Sequence, residues 1–212
     1  MEKFYPVFIS STKVDLEDIR LDLEHMLMRT KFFPIGMENF NASDRDVWNV
    51  ITSKLDKASF VVLILGDRYG DFDKITQKSY TQREYEYAIK HNIPVLCFIK
   101  NDENQNSICD VDKTKLKKLN NFKEKVMKSG RLIQLWNDNT KKTLTFSILA
   151  ALENALTDMI RNGTSPKGLI YDDSIYSYIL PKETKMNFYN VFAVVKGTKE
   201  ECEKGTGVVT YI

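Results

Sequence analysis

Residues 60–70 read FVVLILGDRYG. The six consecutive apolar residues from Phe60 to Leu65 lack the alternation of a half-exposed strand and the length of a helix. Such a run fits a strand covered on both faces, as in a parallel sheet. The turn Gly66-Asp67-Arg68-Tyr69-Gly70 follows at once, so the chain leaves the sheet at the carboxyl end of this strand. A parallel neighbour requires a crossover, usually helical, and the sequence supplies one on each side. Upstream, Val47, Trp48, Ile51, Leu55 and Ala58 form the apolar stripe of a helix opened by Ser43. Downstream, residues 81–91 read as a helix with Tyr85, Ala88 and Ile89 inward, and residues 93–99 (IPVLCFI) as another buried strand.

The same alternation continues toward both ends. Residues 5–10 (YPVFIS) form a first strand, followed by a helical stripe of Leu16, Ile19, Leu23, Met26 and Leu27. Residues 32–37 (FFPIGM) form a second strand, placed near a sheet edge by Pro34. Residues 113–128 read as a helix with Leu116, Leu119, Phe122, Val126 and Met127 inward, and residues 132–136 (LIQLW) as a fifth strand. A long helix over 140–160 carries Leu144, Ile148, Leu152, Ala155 and Met159. Five strand–helix units in strict alternation predict an α/β fold, a five-stranded parallel flavodoxin-like sheet in the order 2-1-3-4-5 with helices on both faces. The stop Asn162-Gly163-Thr164-Ser165-Pro166 divides this domain, residues 1–162, from a linker and β-rich extension, residues 163–212. That extension holds two β-like runs, 190–195 (NVFAVV) and 207–212 (GVVTYI). An apolar run at the end of the chain means either that the tail docks as a strand or that the sequence belongs to something longer.

At 212 residues, 42% hydrophobic and 28% charged, the chain has room for one domain plus a small extension. Its 31 basic and 29 acidic residues leave a net charge of +2, without the surplus of a dedicated duplex binder, so nucleic acid is not an expected partner. The lysines of 113–128 read as a solvated face diluted by Asp110, Asp112 and Glu124. No run approaches about 18 apolar residues, and the start MEKFYP has no signal-peptide core. The expectation is a cytoplasmic protein without a membrane segment. Cys97, Cys109 and Cys202 form no metal or disulfide pattern, and His25 and His91 are the only histidines. Metal and Ser-His-Asp chemistry are therefore disfavoured, and no cofactor is expected.

Ligands of open α/β sheets bind beyond the carboxyl ends of the strands. There the sequence delivers Ser10-Ser11-Thr12, Glu38, Asp67-Arg68-Tyr69, Ser79-Tyr80-Thr81 and then Glu84. Hydroxyls and amides at helix starts suit phosphate or ribose, Arg68 can pair bidentately with phosphate, and Glu84 can face a sugar. Each has a plain structural role beside the chemical one. Thr81–Glu84, Thr12–Asp15 and Ser43–Asp46 all have capping-box spacing. The glycines suit turns, Arg68 could neutralise a neighbouring carboxylate, Trp48 sits on its helix's apolar stripe, Cys97 reads as a buried thiol and His91 as a helix-dipole partner.

Four blocks in order, VFISSTKVDLEDIR, PIGMENFNASDRDVW, VVLILGDRYG and SYTQREYEYAIKHNIPVLCFI, together resemble the DUF4062 family, a domain of unknown function. The resemblance runs from about Tyr5 to Trp136 and more weakly to Ile160. It implies a TIR-like fold within a wider group that includes nucleoside 2-deoxyribosyltransferases. In those transferases a Ser-Gly-Thr, two residues, Glu and Tyr-Ala stretch is similar to residues 79–88 here, which places their catalytic glutamate on Glu84 and their glycine on Tyr80. TIR enzymes that cleave NAD use one glutamate in a corresponding helix. The resemblance therefore implies a nucleotide-processing domain that cleaves the N-glycosidic bond of NAD or a related nucleotide, in prokaryotic defence or nucleotide signalling. The activity would be NAD glycohydrolase- or ADP-ribosyl cyclase-like, or deoxyribosyltransferase-like. Glu84 would be catalytic; Ser10, Ser11 and Arg68 would hold phosphate or ribose; Tyr69 would offer a stacking surface; and Ser79, Tyr80 and Glu38 would complete the substrate site. Glycosidic cleavage passes through an oxocarbenium-like centre that a carboxylate stabilises. Nicotinamide leaves a ring already positively charged and needs no general acid, so a site with one glutamate and no histidine suits NAD. The rival reading is a non-catalytic module that self-associates or docks a partner protein, with Glu84 only a helix cap. A third is a sensor that binds a nucleotide without cleaving it.

Overall fold

The computed structural model describes residues 2–35, 46–73, 75–101, 112–164, 166, 169–171, 193–196 and 208–211. Ser43 as a helix opener, Glu38 as a site residue, and Cys109 and Cys202 lie outside the described residues. The chain divides into two compact units.

The larger unit holds β1 (Glu2–Ser11, from Tyr5 onward), α1 (Glu17–Leu27), β2 (Phe32–Ile35), α2 (Val47–Leu55), β3 (Phe60–Leu65), α3 (Tyr80–Lys90), β4 (Val95–Lys100), α4 (Lys113–Met127), β5 (Ile133–Trp136) and α5 (Leu144–Arg161). These five strands pair in the order β2-β1-β3-β4-β5, all parallel. That is the flavodoxin-like arrangement expected from the alternating pattern. Val7 sits opposite both Pro34 and Phe60, and Leu63 opposite both Ser10 and Cys97. Pro34 falls on the edge strand, where its missing N–H costs no ladder bond.

Every residue of β3 is buried, as the apolar run requires. Successive strand side chains point to opposite faces, and the two faces recruit different helices. Val7 and Ile9 of β1 with Val62 and Ile64 of β3 join Leu16, Leu23 and Leu27 from the α1 side and Ile148, Leu152 and Leu156 of α5 in one core. Phe8 and Ser10, of the other parity, turn away from that core toward the side occupied by α3. There Tyr85 of α3 meets Phe122 of α4 edge-on, with ring centroids 5.7 Å apart.

Several apolar residues depart from their expected stripes. Val47 opens α2 and is exposed. Met127 closes α4 and is exposed. Leu132 is 99% exposed and precedes the ladder of β5, an edge strand with a single neighbour. The start of the last helix is a 3-10 turn over Lys141–Thr143, and α5 begins only at Leu144.

In the smaller unit, β6 (Leu169–Tyr171) runs antiparallel to Glu2–Phe4 of β1. β7 (Ala193–Lys196) pairs antiparallel with β8 (Val208–Tyr211). Both β-like runs of the extension therefore contribute a strand.

Candidate functional site

The carboxyl end of β1 lies between β2 and β3, where successive crossovers leave in opposite directions. Such switch points are where open α/β sheets place ligands. Ser10 is the last residue of β1 on the α3 side and is fully buried; its hydroxyl donates to Oε2 of Glu84 at 2.5 Å. Glu84 is only 3% exposed. Ser11, one residue on, faces the opposite side and accepts from Arg20 Nη1 at 2.7 Å. The two serines thus serve different faces, and Ser11 is not brought to Glu84. The period-two alternation of a strand carries that signal in the sequence itself.

The capping role expected for Glu84 falls elsewhere. Ser79, extended at φ −66° and ψ 155°, is the N-cap of α3, and its side chain accepts from the Gln82 amide at 3.2 Å. The cap is therefore Ser79 rather than Thr81, and the Gln82 side chain is engaged by Tyr69 and Glu86 instead of reaching back to it. Glu84 stands beyond the first turn, pressed against the end of a strand 74 residues away in sequence.

The turn after β3 also differs from its expectation. Asp15 Oδ2 accepts from the amides of Asp67 at 2.9 Å and Arg68 at 3.2 Å, while Oδ1 accepts from the Thr12 hydroxyl at 2.5 Å. The amides that suit a phosphate thus hold a carboxylate of the chain itself. Gly66 permits this approach, since a Cβ there would lie 2.5 Å from Asp15 Oδ2 and 3.1 Å from Leu16. Gly66→Ala is expected to destabilise the protein by about 1–3 kcal/mol through this overpacking. Urea unfolding measures it, and an unchanged midpoint would contradict the close approach.

The remaining candidates have distinct settings. Arg68 makes no side-chain hydrogen bond or ion pair with another described residue. Tyr69 is 3% exposed and donates through its hydroxyl to Gln82 Oε1 at 2.7 Å, so its ring is covered rather than offered for stacking. Tyr80 is half-buried at the first position of α3, its ring 5.9 Å from the Arg83 guanidinium. That guanidinium lies 3.8 Å from the ring of Trp48, which is half-buried under it rather than in the core. Cys97 is buried, and burial pushes its thiol up to about 11, as suits an inert side chain. Among the described residues, no three His, Cys, Asp or Glu side chains gather as metal ligands.

One residue of this rim lies just past the expected strand 93–99. Lys100 ends β4 and is 6% exposed; its Nζ lies 2.7 Å from Asp67 Oδ2 and 3.0 Å from Asp138 Oδ1. A lysine directly after an apolar strand run is the available signal, but its partners lie far away in sequence.

Between Thr12, Arg68, Tyr69, Ser79 and Thr81 the side chains leave about 0 Å³ for water-sized occupants. A groove of about 340 Å³ shares Tyr69 and Phe122 with this filled crevice. Beside the groove, Glu86 accepts from Lys125 at 2.6 Å, Lys78 at 2.7 Å and Gln82 at 3.1 Å. Burial raises the pKa of Glu86, but these hydrogen bonds and the Lys125 charge outweigh it and hold the carboxyl at about 2 instead of 4.5. Its stabilising contribution is complete above about pH 4.5 and is lost as pH falls through 2. The native protein should therefore melt above Glu86→Gln at neutral pH, with the gap closing toward pH 2. A gap that stays constant over that range would contradict the pairing.

The family model described as "Domain of unknown function (DUF4062)" matches residues 6–147, ending 11 residues beyond Trp136. No curated protein matches the chain. Among solved structures the chain is similar to the TIR domains in the activated Roq1 resistosome directly recognizing the pathogen effector XopQ. That likeness has 12% identity and a TM-score of 0.48, over 70% of this chain and 99% of the other.

Proposed function

The chain belongs to the DUF4062 family, and we propose that it is a TIR-like domain that cleaves the N-glycosidic bond of NAD or a related nucleotide, with Glu84 as its catalytic carboxyl. The observation that carries this reading is the placement of Glu84. It is buried, it does not cap its helix, and Ser10 of β1 holds it at the switch point of the sheet. A carboxylate there can stabilise positive charge on the ribosyl C1′ as the bond to nitrogen breaks. The bonding pair passes to the pyridinium nitrogen, so nicotinamide leaves neutral. Water adds to C1′ and releases a proton to solvent.

Other residues take supporting parts. Arg68 holds phosphate through its guanidinium, and Ser10 orients the Glu84 carboxyl. Ser79 shapes the start of α3, and Tyr80 narrows the entrance beside it. Ser11 and Tyr69 are engaged by Arg20 and Gln82 and are assigned no substrate contact. Substrate entry requires the side chains that fill the crevice to shift. A place in defence or nucleotide signalling follows by analogy with TIR enzymes. No described helix is long and apolar enough to cross a membrane.

The test incubates purified protein with NAD, NADP, ATP and deoxynucleosides and follows free base by chromatography. Nicotinamide release is the expected result. The filled crevice favours one rival, a non-catalytic module that self-associates or docks a partner protein. Absence of base release from every substrate, repeated at high protein concentration, would overturn the glycosidase in favour of that rival.

A further inference from the structure

We infer that the groove between α4 and the loop after β3 binds a small organic polyphosphate, at a place separate from Glu84. The loop is built to hold its shape. Asp73 Oδ1 accepts from the amides of Ile75 at 2.9 Å and Thr76 at 2.6 Å, and Asp73 Oδ2 accepts from Arg83 at 2.9 Å. Gln77 is left-handed at φ +55°, a conformation a side chain adopts only when its surroundings enforce it. Gln77 is held from both sides, its amide donating to the Asp73 carbonyl at 2.8 Å and its carbonyl accepting from Lys118 of α4 at 2.9 Å.

The charge of this groove is unbalanced. Lys78, Lys118 and Lys125 line it, and among the described residues Glu86 is the one carboxylate bonded to any of them. Lys118 rests on a carbonyl oxygen and, at 4.7 Å, on the ring of Phe72, neither of which cancels its charge. Three ammonium groups against one carboxylate complement an oxyanion with two or more negative charges. The alkyl stems of the three lysines supply apolar wall, and Asn121 an amide at the lip. The volume, about 340 Å³, lies in the small-molecule range. A bare inorganic anion would leave the apolar wall unused, so the complement is a polyphosphate carried on an organic group.

ATP is the probe, measured by titration calorimetry at fixed ionic strength beside pyrophosphate and adenosine. Saturable binding of ATP is expected, tighter than that of either fragment and weakened by added salt. The double variant Lys118→Ala/Lys125→Ala should lower ATP affinity by roughly tenfold, while Lys118→Arg/Lys125→Arg retains it. Glu86→Gln should tighten binding several-fold, which no purely structural role of these lysines would do. Glu84→Gln should leave it unchanged. The inference is overturned if ATP does not saturate, if the double alanine variant binds as the native protein does, or if Glu84→Gln rather than the lysine pair abolishes binding. It is also overturned if pyrophosphate binds as tightly as ATP. Were the alanine variant to misfold, the Glu86→Gln titration alone decides, and no tightening there is a negative result.

Discussion

Glu84→Gln is expected to abolish base release, by at least about a hundredfold, and to leave the domain folded. The substitution keeps the shape of the side chain and an oxygen that can accept from Ser10, now 2.5 Å from the carboxyl. It removes the ability to carry full negative charge opposite a ribosyl cation. Loss of one preorganised electrostatic partner in a water-poor site costs about 10²–10³ in turnover. The stability change should stay within about 1.5 kcal/mol, the range of a single altered hydrogen bond. Turnover and melting temperature, measured on the same preparation, separate the two effects. Turnover kept within tenfold of the native value would remove Glu84 from the chemistry, and a collapsed melting temperature would make it a packing residue.

Lys100→Met is expected to lower stability by about 3–5 kcal/mol, the usual loss when one member of a buried ion pair is removed. The side chains of Lys100 and Asp67 are 5% and 12% exposed. Methionine replaces the stem of the lysine, so the loss reflects charge rather than a cavity. Asp67 would keep its carboxylate in a poorly solvated place without this ammonium. Combining Lys100→Met with Asp67→Asn should restore most of the loss, because the second change removes the stranded charge. Urea denaturation of both singles and the double reads this coupling directly. Additive losses, or a single-variant loss under about 1 kcal/mol, would show that the pair is not coupled as its geometry implies. Because Asp15 grips the Asp67 amide, the same variant should also quicken hydrogen exchange in the turn after β3.

The features legible in the sequence were those encoded by neighbours. Six apolar residues in a row marked β3, helical spacing marked α1 and α5, and Pro34 marked an edge; the sheet order followed from alternation alone. The rim residues were named because strand ends are easy to find. Their orientation was harder. Ser10 and Ser11 follow opposite parities that the sequence contained, whereas the Ser10–Glu84 and Lys100–Asp67 pairs join positions 74 and 33 residues apart. No local pattern encodes such contacts. The box expected at Thr81–Glu84 shows the same limit, since spacing alone does not say which of two nearby hydroxyls, Ser79 or Thr81, opens the helix. Stripe positions at the ends of helices, such as Val47 and Met127, are exposed because periodicity does not say where along a helix its buried face stops.

The carboxylate of Asp15 seated on two amides has one further consequence. It is a tethered rival to any free anion that approaches the turn after β3. A tethered group acts at an effective concentration of millimolar or above, set by its short linkage rather than by supply. A soluble phosphate at lower concentration loses that competition even where its intrinsic affinity is similar. The amides of this turn are therefore withdrawn from a diffusing anion, and any recognition of one at this rim is left to side chains rather than to the backbone.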